Sequence, residues 1–348
     1  MIAASPFSGS RAYEPAETRA ERGAELPQRF TDPRDEYEAA RGGAAVVDRS
    51  DRVVVELRGR DRKTWLHNLV TNAVTTLADD AGAYAFACDV RGRVQFDLNI
   101  LNLPDTIWID VDRAAAPGAL AHLERYHISE DVAVALRAED FARLGVCGPR
   151  AAEIAAALGA GGLTDMSPLS SRPLDGGRTR LIRHDFCGLV GFELVVPRAE
   201  AHTAWERAVS AGARPMGRIA LDVLRIEAGI PWLGRDIDDT TLPPETGQVD
   251  RGVSYRKGCY LGQEILERMR SHGSLARRLV RLRTPDGHDV SLPATMELGG
   301  KDVGRVTSLV ARVARSGWVG LGYLRTHVTQ TTGIAIGDPR REIEIASA

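Results

Sequence analysis

The sequence predicts an α+β fold, two ferredoxin-like α/β modules followed by a small C-terminal β-barrel. Three observations carry that expectation. Between residues 52 and 136 the hydrophobic pattern runs strand, helix, strands, helix, strand, the element order of a ferredoxin-like sandwich. A similar order returns between residues 142 and 211, although no repeat is legible residue by residue. Beyond residue 277 the pattern changes to short alternating segments with many glycines and no helix, as in a small barrel.

The elements follow in order. Residues 1–32 are polar, charged and rich in Ala, Pro and Ser, so they are expected to form a flexible tail outside the fold. They also lack the unbroken apolar core of a signal peptide. A short helix is expected over 35–40, ended by Gly42-Gly43. Residues 53–57 read as a strand. Residues 59–70 read as a helix with Trp65, Leu66 and Leu69 at near-helical spacing. Strands over 84–88 and 94–103 flank a turn at 89–92, and 107–109, a helix over 114–126 and a strand over 132–136 complete the first module. The second module has strands over 142–147, 180–183 and 192–196 and helices over 150–158 and 199–211. A helix over 217–229 leads into a long polar segment, 231–256, of a length usually reserved for function. The resulting division is 1–32 tail, 33–138 with 217–276 as the first domain, 139–216 as the second, and 277–348 as the barrel.

Composition excludes several functions. Hydrophobic residues make up 43% and charged residues 26% of the 348, with a net charge of −2. That balance argues against a nucleic-acid binder working through bulk electrostatics. No run of about 18 apolar residues occurs, so no membrane span is expected, and the cytoplasm is the expected location. Cys88, Cys147, Cys187 and Cys259 are far apart, with no CxxC pair, which argues against a zinc site, a self-contained iron–sulfur ligand set or a disulfide framework. His67, His122, His127 and His184 show no ligand spacing either. No metal site is expected. Of 45 basic residues only three are lysines: Lys63, Lys257 and Lys301.

The densest cluster of unusual residues is Lys257-Gly258-Cys259-Tyr260-Leu261-Gly262-Gln263-Glu264. A thiol close to a helix N-terminus, flanked by Lys257 and Arg256, is placed for thiolate chemistry. Equally, Cys259 can be a small buried hydrophobe and the glycines turn formers. Residue chemistry alone leaves both readings open.

This octapeptide, KGCYLGQE, resembles the signature of the YgfZ-type folate-binding proteins, relatives of the glycine-cleavage T-protein and of folate-dependent demethylases. Leu224-Arg225-Ile226-Glu227-Ala228-Gly229, Pro243-Pro244-Glu245, Gly191-Phe192-Glu193, Gly304-Arg305-Val306-Thr307-Ser308 and Leu321-Gly322-Tyr323-Leu324-Arg325 extend the likeness over about residues 33–345. The resemblance implies a T-protein-like ring of three domains that binds tetrahydrofolate or a one-carbon derivative. It makes Glu193 the candidate acceptor for the two-donor edge of the pterin. Arg225 is expected near that site and Tyr84 in the pocket wall. The T-protein pattern of paired acids in a strand appears here as Gly92-Arg93-Val94-Gln95-Phe96-Asp97-Leu98, with Phe96 in place of the first acid and Asp97 retained.

Two functions follow from the resemblance. The main expectation is an accessory protein supporting iron–sulfur cluster assembly or repair in other enzymes, through transient contact with client or assembly proteins. Cys259 would be its reactive group, flanked by Lys257 and Tyr260. A link to tRNA modification would be indirect, through iron–sulfur clients. The alternative is a folate-dependent aminomethyl- or methyltransferase in which Asp97 positions the acceptor nitrogen.

Overall fold

Order begins with the first residues of the chain. In the computed structural model, which describes residues 2–346 except 164, 274 and 338, Glu17–Glu21 (β1) and Ala24–Arg29 (β2) form an antiparallel hairpin. Arg22 and Gly23 form its tip with φ of 51° and 83°. The expected flexible tail over 1–32 is therefore corrected. Although the segment is mostly polar, three of its large side chains turn inward: Phe7, Tyr13 and Leu26 are buried. The rings of Phe7 and Tyr13 lie 5.2 and 5.0 Å from that of Trp205. The buried Asp48 carboxylate accepts hydrogen bonds from the hydroxyls of Ser5 (2.6 Å) and Tyr13 (2.7 Å). Phe7→Ala is expected to destabilise the protein by about 3–5 kcal/mol, the cost of a large buried cavity. A urea unfolding midpoint that does not move would show that the segment is dispensable.

Asp32 caps α1 (Pro33–Gly42) by accepting from the Arg34 amide at 2.8 Å, and Pro33 supplies a preset first turn. Next come β3 (Ala45–Asp48), β4 (Arg52–Arg58), α2 (Arg62–Leu69), β5 (Gly82–Cys88), β6 (Val94–Asn102), β7 (Ile107–Asp112), α3 (Ala116–Arg125) and β8 (Ala133–Leu136). Five of these strands make an antiparallel sheet ordered β5-β6-β7-β4-β8. Alternation along β6 sends Phe96, Leu98 and Ile100 into the core with Trp65, Leu66 and Leu123 of α2 and α3. Asp97 and Asn99 therefore face the other way.

The second sheet uses β9 (Phe141–Cys147), β10 (Ser171–Leu174), β11 (Thr179–Arg183), β12 (Gly191–Pro197) and β13 (Arg214–Pro215), with α4 (Ala151–Ala157) and α5 (Ala201–Ser210) packed on it. Its order is β10-β11-β12-β9-β3-β13. Residues 45–48 thus belong to this sheet, paired antiparallel with β9 and parallel with β13, and not to the first domain as expected. Both faces of β3 are covered. Val46 packs with Leu144, Phe192 and Trp205, while Ala45 and Val47 pack with Leu221 and Leu224. A strand buried on both faces shows no alternation. The inner faces of the two sheets meet through Val54 and Trp108 on one side and Ile182 and Val195 on the other.

The polar segment after the second sheet is bounded by α6 (Arg218–Glu227) and carries α7 (Val249–Gly252) and α8 (Gln263–His272). Gly217, before α6, lies so close to the hairpin that a Cβ there would be 2.3 Å from the Gln28 carbonyl oxygen. The remaining strands, β14 (Arg277–Thr284), β15 (Ala294–Leu298), β16 (Lys301–Ala311), β17 (Trp318–Arg325), β18 (Ile334–Ile336) and β19 (Arg341–Ile345), close into a barrel ordered β14-β17-β16-β15-β18-β19. Two ferredoxin-like modules and a small barrel are what the sequence predicts. Val319 and Leu321 of the barrel share one core with Val223 and Leu224 of α6. Among the described residues no helix is long and apolar enough to cross a membrane.

Candidate functional site

Between the apolar contacts of Val54 and Trp108 and those of Tyr84 and Phe86, the inner face of the first sheet carries a group of buried polar side chains. Tyr84 on β5 donates its hydroxyl to Asp97 Oδ2 at 2.9 Å. Asp97 Oδ1 is buried with no hydrogen-bond partner. Asn99 donates its amide to Asp110 Oδ2 on β7 at 2.8 Å, which leaves Asn99 Oδ1 buried and also without a donor. Arg52 of β4 grips Asp110 through Nε and Nη2, both at 3.0 Å. Burial and the Asp97 charge raise the Tyr84 phenol well above its ordinary value, so it stays protonated and donates. Above its ring, at 4.0 Å, stands the guanidinium of Arg251 from α7. The helix approaches this closely because residue 252 is glycine: a Cβ there would lie 2.8 Å from the Phe86 ring and 3.1 Å from that of Tyr84. Two unsatisfied acceptor oxygens, two residues apart on one strand face, are costly unless a ligand supplies donors.

Glu193 occupies the facing sheet on β12 and is almost wholly buried. Its Oε1 lies 2.9 Å from Arg49 Nη1, although not along an N–H direction, and its Oε2 lies 2.9 Å from His184 Nδ1 and 3.7 Å from Arg143 Nη1. Burial pushes this carboxyl up, but Arg49, Arg143 and His184 outweigh it and hold Glu193 below the usual carboxylate range. Glu193, the candidate pterin acceptor, thus has cations on two sides, while its buried Oε1 accepts no hydrogen bond among the described residues. Arg143 also contacts Asp110 at 2.5 Å, so one guanidinium joins the Glu193 and Asp97 sides.

Arg225, expected beside the same site, has no exposed surface. Its Nε donates to Asp222 (2.6 Å), Nη1 to Asp236 (2.6 Å) and to the Ile230 carbonyl (3.1 Å), and Nη2 to Ser308 (2.9 Å). These partners make it a tie between α6, the following loop and the barrel, with no donor directed at a ligand. Its guanidinium, with those of Arg22 and Arg218, surrounds the Trp232 ring at 4.1, 4.7 and 4.2 Å.

The KGCY segment divides. Lys257 Nζ donates to the carbonyls of His67, Val70 (2.6 Å) and Asn72 (3.1 Å), three acceptors for the three protons of an ammonium. Burial lowers its pKa to about 7. The expectation that Lys257 tunes a neighbouring thiolate is thereby corrected: its ammonium anchors the loop to the end of α2. Tyr260 is buried with its hydroxyl unpartnered and shares a core with Tyr84, Phe86 and Cys88. Cys259 is exposed, whereas Cys88, Cys147 and Cys187 are buried. The structure brings together Tyr84 and Asp97, each named from the sequence, and adds Arg52, Asn99, Asp110 and Arg143, which the sequence reading misses. Their signal lies in the strands themselves, where polar residues recur at alternate positions, 97 and 99 on β6 and 110 and 112 on β7.

Residues 11–257 match the family described as the GCVT N-terminal domain. A protein named aminomethyltransferase from Rubrobacter xylanophilus is 30% identical over 305 residues, covering 87% of this chain and 82% of that protein. Another of the same name from Geobacillus kaustophilus is 28% identical over 330 residues, covering 93% of this chain and 88% of that one. The crystal structure of the glycine cleavage system aminomethyltransferase T from Bartonella henselae superposes with a TM-score of 0.89 at 20% identity, covering 100% of this chain and 97% of that one. That likeness establishes a shared fold.

Proposed function

Because the chain belongs to the family of the GCVT N-terminal domain, we propose that it is a folate-dependent one-carbon transferase, moving an aminomethyl or methyl group to tetrahydrofolate. The observation that carries this reading is the unpartnered Asp97 Oδ1, buried on an inner sheet face and oriented by the Tyr84 hydroxyl. Together with Asn99 Oδ1 it offers acceptors to the N–H groups of a reduced pterin, which fits that ligand. Bound there, tetrahydrofolate supplies the nucleophilic nitrogen that receives the one-carbon unit. Asp97 would accept the proton leaving that nitrogen, as a general base held in place by Tyr84. Arg52 and Asp110 would keep the wall behind it rigid, and Glu193 would stay with Arg49 and His184 as part of that wall.

The names of the relatives favour this reading over the accessory role in iron–sulfur cluster assembly, for which they offer nothing. The YgfZ-type reading rests on the resemblance of the KGCYLGQE segment and the further segments named with it, and the relatives' names do not bear on it. One observation keeps the accessory role as a second reading: Cys259 is the cysteine that solvent reaches.

Titration with tetrahydrofolate and its 5-methyl and 5,10-methylene forms is expected to raise the unfolding temperature, following RT ln(1 + [L]/Kd), about 2.7 kcal/mol at a hundredfold excess over Kd. Turnover with methylated amines, ethers or thioethers as donors should convert tetrahydrofolate to a one-carbon form. No thermal shift with any folate would remove the reading. Binding without turnover, joined to loss of iron–sulfur enzyme activity in cells carrying Cys259→Ala, would transfer support to the accessory role.

A further inference from the structure

We propose that a cleft between the end of α6 and the barrel binds an oligophosphate group. The cleft encloses about 310 Å³ and is walled by Arg41 of α1, Arg281 and Arg283 of β14, and Arg312 and Arg315 of the β16–β17 turn, with Glu227 at the end of α6 as the acid in that wall. Setting Arg281 aside, the guanidinium groups of Arg41, Arg283, Arg312 and Arg315 against the Glu227 carboxylate leave an excess of three positive charges among the described residues. None of these residues belongs to the Asp97 site.

The geometry shows how the cations are held together and what they leave open. Glu227 accepts a 2.7 Å hydrogen bond from the Tyr37 hydroxyl. Arg41 and Arg312 lie at the limit of ion pairing, 3.9 and 4.0 Å from its oxygens. Arg281 donates to the Glu227 backbone carbonyl at 2.8 Å. Arg312 is largely buried, its side chain 18% exposed, and its Nε has no acceptor. A buried guanidinium nitrogen without an acceptor costs free energy that a ligand oxygen would recover. Guanidinium forks match phosphate oxygens in pairs. A diphosphate or triphosphate group carries charge close to the excess, while a monoanion leaves most of it unmatched. The walls come from α1 and α6 on one side and the barrel on the other, so an occupant would bridge two separately built parts of the chain.

The test is calorimetric titration of the full chain, without folate, using tripolyphosphate, with citrate and sodium chloride at equal ionic strength as comparison arms. Saturable binding of tripolyphosphate is expected, at least tenfold tighter than citrate. Arg315→Gln, on an exposed turn, should weaken it several-fold, and Arg312→Gln at least tenfold. Arg60→Gln, an exposed arginine paired with Asp131 elsewhere, should leave it unchanged. Heat that follows ionic strength alone, or binding that persists unaltered in Arg315→Gln and Arg312→Gln, overturns the site. Equal affinity for citrate overturns the phosphate assignment.

Discussion

Asp97→Asn should slow the proposed one-carbon transfer by orders of magnitude and leave the fold intact. The substitution keeps the shape of the side chain, and its carbonyl oxygen can still accept from the Tyr84 hydroxyl that lies 2.9 Å from the carboxylate. What it removes is the charge and the proton-accepting capacity of Oδ1, the atom without a partner in this chain. General acid–base catalysis typically contributes about 10²- to 10⁴-fold, so kcat should fall by that factor. Folate affinity should change far less, since an amide oxygen still accepts a hydrogen bond. The checking measurements are initial rates of tetrahydrofolate turnover, ligand-induced thermal shifts, and the unfolding temperature without ligand. A kcat within about threefold of the parent enzyme would dismiss Asp97 as the base. Tyr84→Phe should show a weaker form of the same pattern, because the carboxylate stays but loses the group that orients it.

Arg225→Met should be strongly destabilising. The arginine is fully enclosed, with Asp222 and Asp236 each 2.6 Å away. Removing one partner of a buried pair leaves an uncompensated charge, a cost of about 3–5 kcal/mol. Asp222 keeps Arg235 at 2.5 Å. Asp236 keeps only neutral donors, the Thr307 and Ser308 hydroxyls at 2.6 Å and the Trp232 amide at 3.0 Å. The damage should therefore concentrate on Asp236 and on the seam between α6 and the barrel. Urea unfolding followed by tryptophan fluorescence measures it, and adding Asp236→Asn to the variant should recover part of the loss. A destabilisation below about 1 kcal/mol would show that water or rearrangement compensates the carboxylates.

These two residues also show where sequence reading succeeds and where it stops. Both stand in recognisable motifs. Asp97 alternates with core residues on β6, so its strand face is legible from the period of two. Arg225 sits in a helix flanked by partners that arrive from positions 236 and 308. No local pattern states that a helical arginine turns inward to meet them. The surroundings of Glu193 are equally hidden: Arg49 and Arg143 reach it from distant parts of the sequence, and only tertiary structure brings these cations to it. For secondary structure, the near-helical spacing of α2 and the alternation of apolar and polar residues along β6 are legible. β3 is not, because burial on both faces erases alternation. The β1–β2 hairpin was hidden by its polar average, although Phe7, Tyr13 and Leu26 determine where it packs.

The tip of that hairpin has a consequence for the order in which the molecule can be finished. Arg22 meets Asp112 and Asp51, donates to the Leu233 carbonyl at 3.2 Å and stacks on Trp232. During synthesis on the ribosome residue 22 emerges early, yet its last partners leave the exit tunnel more than two hundred residues later. The hairpin is thus made well before the residues that complete its native contacts. Until then its apolar side chains and the Arg22 guanidinium remain in water, so the seam between the hairpin tip, β7 and residues 232–233 closes only after more than half of the sequence has been made.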